Sequence, residues 1–166
     1  MSLDITTNSI LFLTRKKFNV LNIGTWVSSL IDLFQGGITH TAVVFKWGNL
    51  LAVREMTESG TLITPLSCYL KTHKNRIKST YEVITRNYEA IECYNRECLK
   101  PSSYDFVNLL LRQPLRLLFN VRSRKVTEHK RICSEDTARC VNILRPLFND
   151  VENLSPQEIY NYVYGH

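Results

Sequence analysis

The stretch GITHTAVVFKWGNLLAVREM, residues 37–56, decides the fold. Its first half, Thr41 to Trp47, is rich in β-branched and aromatic residues, and Leu50 to Met56 alternates apolar residues with others. Between them Gly48-Asn49 is a two-residue turn signal, so the segment reads as a β-hairpin. Counting outward from Trp47 opposite Leu50 sets Ala42 opposite Glu55 and His40 beside Thr57. His40, Ala42 and Glu55 therefore share one sheet face, because side chains alternate with period two along each strand.

Working outward, a turn at Glu58 to Gly60 leads to a third strand, Thr61 to Thr64, closed by Pro65. Ser9 to Leu13 is a short apolar run that reads as a first buried strand. Asn22 can cap a helix running to Gln35, with Trp26, Leu30, Leu33 and Phe34 at helical spacing and Gly36-Gly37 as its stop. Ser79 to Thr85 supplies a further strand after the basic loop that carries Lys71, Lys74, Arg76 and Lys78. From Tyr88 the pattern turns helical: Tyr88 to Leu99, Ser102 to Leu111 with Ser102 or Ser103 as cap, and Leu115 to Phe119 after the interruption at Pro114. Helices from Ser134 to about Leu147 and from Pro156 to Tyr164, the latter capped by Ser155, complete the chain. Strands lie in the first half and helices mainly in the second. This segregation predicts an α+β fold in which an antiparallel, histidine-bearing meander packs against helices.

The 166 residues suit a single domain over 1–166, and an apolar share of 44% supports a hydrophobic core. No apolar run approaches the roughly 18 residues of a membrane helix. Arg15, Lys16 and Lys17 follow the apolar stretch Ile10 to Leu13 instead of preceding it, the reverse of a signal peptide. The expected location is the cytoplasm or a phage particle. The opening Met1-Ser2-Leu3 resembles an added leader, which leaves room for an export signal removed from the natural chain. Five cysteines at irregular spacings argue against a disulfide framework. Cys93 and Cys98, with Cys68 and His73, make only a weak zinc pattern, since structural zinc sites show paired short spacings. No metal or other cofactor is expected. The net charge of +6 favours an anionic surface or polymer as a partner. The charge concentrates in two clusters, one at Lys71 to Lys78 and one comprising Arg112, Arg116, Arg122, Arg124, Lys125, Lys130 and Arg131. Two solvated loops would account for these clusters equally well.

The residues with chemical potential are Cys133, His40 and Glu55. A cysteine nucleophile needs a base, a group that orients the base, and donors for an oxyanion. Cys133 falls where the basic loop ends and an apolar-periodic helix begins, with Ala138, Val141, Ile143 and Leu144 following. There it would feel the positive helix end, with Arg131, Lys130 and His129 adding charge if they lie close. His40 opens the hairpin strand, and Glu55 on the same face can hold the imidazole in one tautomer. Taken singly, each has an ordinary structural role: a packed cysteine, a satisfied histidine, a solvated glutamate.

Together these segments resemble the circularly permuted NlpC/P60 superfamily. Its front half is matched by Gly37 to Phe45, Val53-Arg54-Glu55-Met56 and Thr61 to Leu66. Its back half is matched by Ser103-Tyr104-Asp105-Phe106, similar to the family's Tyr-Asp segment, and by Ile132-Cys133-Ser134-Glu135, similar to its Cys-Ser-Glu nucleophile motif. The resemblance covers roughly residues 8 to 150 and implies a permuted papain-like fold in which the histidine strand precedes the cysteine helix. It implies Cys133 as nucleophile, His40 as base and Glu55 as the polar third residue. Ile132 stands where an aromatic is common, and the basic loop from Arg122 to Arg131 is a second departure. The Cys-Ser-Glu form is closer to the amidase or peptidase-like branch than to the lecithin:retinol acyltransferase branch. Ser134 and Glu135 are expected to serve the helix start. Tyr104 and Thr39 are candidates for lining the site or donating to the oxyanion, with burial of the ring as the competing role for Tyr104.

The expected activity is that of a cysteine hydrolase cleaving an amide or ester in a peptide or lipid-linked acyl substrate. Two other classes compete. One is a catalytically silent lipid- or peptide-binding domain, against which the presence of all three triad residue types counts. The other is a basic nucleic-acid-binding protein, which would bind with steep salt dependence but lacks the regular aromatic interleaving of single-strand binders.

Overall fold

A computed structural model describes residues 5–14, 37–105 and 130–165. The helix expected over 22–35, the helical stretches expected within 106–119 and most of the basic cluster lie outside the described residues. The described chain is α+β. Five strands, β1 (Ser9–Leu13), β2 (His40–Trp47), β3 (Leu50–Thr57), β4 (Gly60–Pro65) and β5 (Ile77–Glu82), form one antiparallel sheet in the order β4-β3-β2-β1-β5. Four helices accompany it: α1 (Leu66–His73), α2 (Tyr88–Cys98), α3 (Cys133–Leu144) and α4 (Pro156–Tyr164). Two short strands, β6 (Ser103–Tyr104) and β7 (Lys130–Arg131), pair in parallel. Among the described residues no helix is long and apolar enough to cross a membrane.

The hairpin register is the one the turn predicts, with Trp47 opposite Leu50 and Ala42 opposite Glu55. Gly48 adopts φ +61°, the left-handed conformation that such a tight turn requires and that glycine adopts without steric cost. Both sheet faces are covered, which is why the strands are apolar on both sides. Ile10, Phe12, Val43, Phe45 and Ala52 face α2, α3 and α4 through Tyr94, Ala138, Val141, Leu144 and Ile159. Leu11, Leu13, Ala42, Val44 and Val53 face the other way, against Tyr69 of α1. By alternation His40 and Glu55 belong to the α1 face, while Thr41 and Arg54 point to the α3 face.

Several boundaries differ from the sequence reading. The basic segment after Pro65 is not a loop: residues 66–73 form α1 and Lys74–Arg76 a 3-10 turn. An eight-residue helix has too little propensity to announce itself, and packing on the sheet decides it. Arg76 is not a solvated charge either, because its Nε and Nη2 donate to the Thr14 carbonyl at 3.2 and 3.0 Å. Strand β5 begins two residues earlier than expected and stops at Glu82, where its partner β1 begins at Ser9. Ser103 does not start a helix. It pairs with Lys130, while Ser102 exchanges hydrogen bonds with Thr61 on the edge strand β4. Helix α3 stops at Leu144 and not near Leu147, since Pro146 forces Arg145 into extended backbone at φ −157°, ψ 128°. Helix α4 has the bounds and the Ser155 cap that the sequence indicates, and Glu158 bonds back to the Ser155 amide at 2.8 Å.

Candidate active site

The site forms where the N-terminus of α3 meets the end of the sheet at which β2 starts. Cys133 is the first residue of α3, and Thr41, the second residue of β2, donates from Oγ1 to the Cys133 carbonyl at 3.2 Å. This buried bond ties α3 to β2. Glu135 accepts from the Ile132 amide at 3.2 Å, satisfying one donor of the helix start as expected. Ser134 does something else: its hydroxyl donates to the Leu154 carbonyl at 2.6 Å and fastens α3 to the segment before α4. The amides of a helix's first turn find no acceptor within the helix, and the Cys133 amide stands at that position.

His40 is brought against both other candidates. Its Nε2 donates to Glu55 Oε2 at 2.9 Å, and Cys133 lies close enough to act on the titration of the same ring. With Nε2 committed to the carboxylate, Nδ1 is the nitrogen left for the sulfur. Cys133 is only 4% exposed, and the side chains of His40 and Glu55 are 18% and 9% exposed. Burial works against the imidazolium, but the negative charge and hydrogen bond of Cys133, then those of Glu55, outweigh it and push the His40 pKa up to about 9. Burial likewise works to raise the Glu55 pKa. The hydrogen bond and charge of His40, the nearby His73 and the Tyr69 hydroxyl overcome it and hold that carboxyl below its usual range.

Tyr69 of α1 was not foreseen. Its hydroxyl donates to the same Glu55 Oε2 at 3.2 Å, and its ring stacks on His73 with centroids 4.3 Å apart. Burial, then the charge of Glu55, raises the tyrosine pKa well above its ordinary value, so the phenol stays a donor. The missed signal is the spacing of Leu66, Tyr69 and Leu70 after Pro65, which places Tyr69 on the apolar face of a short helix.

The secondary candidates separate. Tyr104 is half-buried on β6, and burial followed by the negative charges of Cys133, Glu58, Glu135 and Asp105 raises its pKa, so it also stays protonated beside the site. Thr39 is buried, with its amide committed to the Leu13 carbonyl at 3.0 Å, so any donation to a substrate would have to come from its side chain. Arg131 is engaged by carboxylates. Its guanidinium bonds Asp136 at 3.2 Å and Glu97 at 3.4 Å. His129 lies outside the described residues. Cys68 and Cys93 are exposed and Cys98 is buried, and among the described residues no group of three or more histidine, cysteine or acidic side chains is placed to hold a metal.

A raised histidine pKa has a definite sign for stability. The folded chain holds the proton more tightly than the unfolded chain, so the stabilisation is complete below the ordinary value of 6.5 and is lost as pH rises through about 9. The melting temperature of the wild-type protein should fall over this interval more steeply than that of His40→Gln. Parallel curves for the two proteins in calorimetry would show that His40 makes no such ion pair.

No protein-family model matches the sequence, and no curated protein matches it.

Proposed function

We propose that the protein is a cysteine hydrolase that cleaves an amide or ester bond through an acyl-enzyme on Cys133. The observation that carries this reading is the His40–Glu55 hydrogen bond at 2.9 Å beside the start of α3, where the neighbouring Thr41 bonds the Cys133 carbonyl and Cys133 acts on the His40 ring. The resemblance of residues 37–66 and 103–135 to the permuted NlpC/P60 superfamily, of papain-like fold, points the same way. His40 takes the Cys133 proton, and the sulfur attacks the substrate carbonyl to form a C–S bond. The resulting oxyanion is held by the Cys133 amide at the start of α3, with Tyr104 as a neighbouring donor. The tetrahedral species collapses as His40 returns the proton to the departing amine or alcohol. Water, deprotonated by His40, then attacks the thioester and frees the acid. Glu55 holds the ring and stabilises its charged form. The substrate is a peptide or a lipid-linked acyl group.

Labelling with iodoacetamide between pH 5 and 9, followed by peptide mapping, tests the reading. Cys133 should label faster below pH 8 than the exposed Cys68 and Cys93 despite its burial, and His40→Ala should slow it. If Cys133 labels no faster than these two, or its rate is indifferent to His40, the hydrolase reading fails.

A further inference from the structure

Arg54 stands beside Glu55 on β3 but points to the opposite face, where it is completely buried. Its Nε and Nη2 donate to the two carboxylate oxygens of Asp136 at 2.7 and 2.9 Å. Its Nη1 donates to the carbonyls of Cys98 and Lys100, at 2.9 and 2.6 Å. Asp136 lies three residues after Cys133, one turn along α3, and is 3% exposed. Arg131, two residues before Cys133, bonds the same carboxylate. One buried acid thus joins the strand of the third triad candidate to the segments on both sides of the nucleophile.

We propose that Arg54 and Asp136 act as a positioning pair that sets α3, and with it the Cys133 sulfur, in register with the His40–Glu55 end of the sheet. This rests on Cys133 being the nucleophile. The apolar contacts of α3, through Ala138, Val141 and Leu144, are non-directional and do not by themselves fix the helix along its axis. A two-pronged guanidinium–carboxylate pair is directional and does so. Slipping α3 by one turn, about 5.4 Å, would part Cys133 from His40 and break the pair together. Buried ion pairs contribute little net stability compared with well-packed apolar residues, and registry is the use that best accounts for keeping one.

The test uses the full chain carrying Asp136→Asn or the apolar pair Arg54→Met/Asp136→Leu, with Arg139→Ala as a surface control. Two quantities are read at a temperature where circular dichroism shows each protein folded. These are the NMR titration of the His40 ring and the ratio of Cys133 to Cys68 labelling by iodoacetamide at pH 7. In both positioning variants the His40 midpoint should fall by about one unit or more, because the ring loses the sulfur. The labelling ratio should drop about 10-fold or more, as expected for a misplacement on the order of 1 Å. Neither should recover in the apolar pair even where its melting temperature returns toward that of the wild type. Wild-type titration and labelling in a folded apolar pair would overturn the proposal and leave Arg54 and Asp136 a packing element. Where Asp136→Asn fails to fold, the apolar pair carries the test. If wild-type Cys133 labels no faster than Cys68, it is the hydrolase reading that fails; the His40 titration still decides the positioning, since it reads contact with the sulfur and not its reactivity.

Discussion

Cys133→Ala is expected to abolish acyl-enzyme formation outright. Incubated briefly with p-nitrophenyl acetate and quenched in acid, the wild-type protein should carry one acetyl group mapping to Cys133, and the variant none at that position. On an acyl donor that the site accepts, turnover in Cys133→Ala or His40→Ala should fall by roughly 10^4-fold or more, because members of such a unit fail together when any one is removed. Glu55→Gln keeps the shape of the side chain but not its charge, and should also cost up to about 10^4-fold by releasing the ring from its tautomer. Acetylation of Cys68 or Cys93 in place of Cys133, or an undiminished burst of p-nitrophenol from Cys133→Ala, would remove the nucleophile from the scheme. The expectation rests on His40 Nε2 standing 2.9 Å from Glu55 while Cys133 raises the pKa of the same ring.

The largest effect on stability is expected at Asp136. Asp136→Ala leaves the Arg54 guanidinium in the interior without its anion, and breaking a buried pair in this way costs about 3–5 kcal/mol. For a chain of this size that corresponds to a melting temperature lower by roughly 6–20 °C. The burial of both side chains, 0% and 3% exposed, is what makes the cost large. Arg139 and Glu152 provide the contrast, since their side chains are 31% and 36% exposed and 3.3 Å apart. Arg139→Ala should change stability by less than about 1 kcal/mol. Thermal unfolding of the two variants side by side checks both values, and equal losses would mean that Arg54 finds another anion when Asp136 is gone.

The parts of the fold that local chemistry dictates were legible in the sequence. The turn Gly48-Asn49 fixed the hairpin register, and with it the shared face of His40 and Glu55. Ser155-Pro156 marked the start of α4, and Cys133 stood within one residue of the expected helix start. What escaped depends on partners distant in the chain. Nothing near Tyr69 announces that its hydroxyl will meet Glu55, and nothing near Arg54 announces Asp136, because those bonds exist only after the helices close on the two sheet faces. Arg54 carried one readable sign, a charged residue in a strand otherwise apolar on that face. The Thr41 bond to Cys133 joins residues 92 positions apart and had no local signal. Pro146 did carry one, and the residue before a proline marks where α3 has to stop.

That 92-residue span also orders events during synthesis. As the chain leaves the ribosome, His40, Glu55 and Tyr69 emerge first, and the hairpin and its covering helix can form with no thiol beside the imidazole. Cys133 follows only after most of the sheet has been made, and it joins the others when α3 docks. On the hydrolase reading the Cys133–His40 pair is therefore completed only by a long-range closure, and incomplete chains that end before residue 133 contain His40 and Glu55 without the cysteine proposed to act with them.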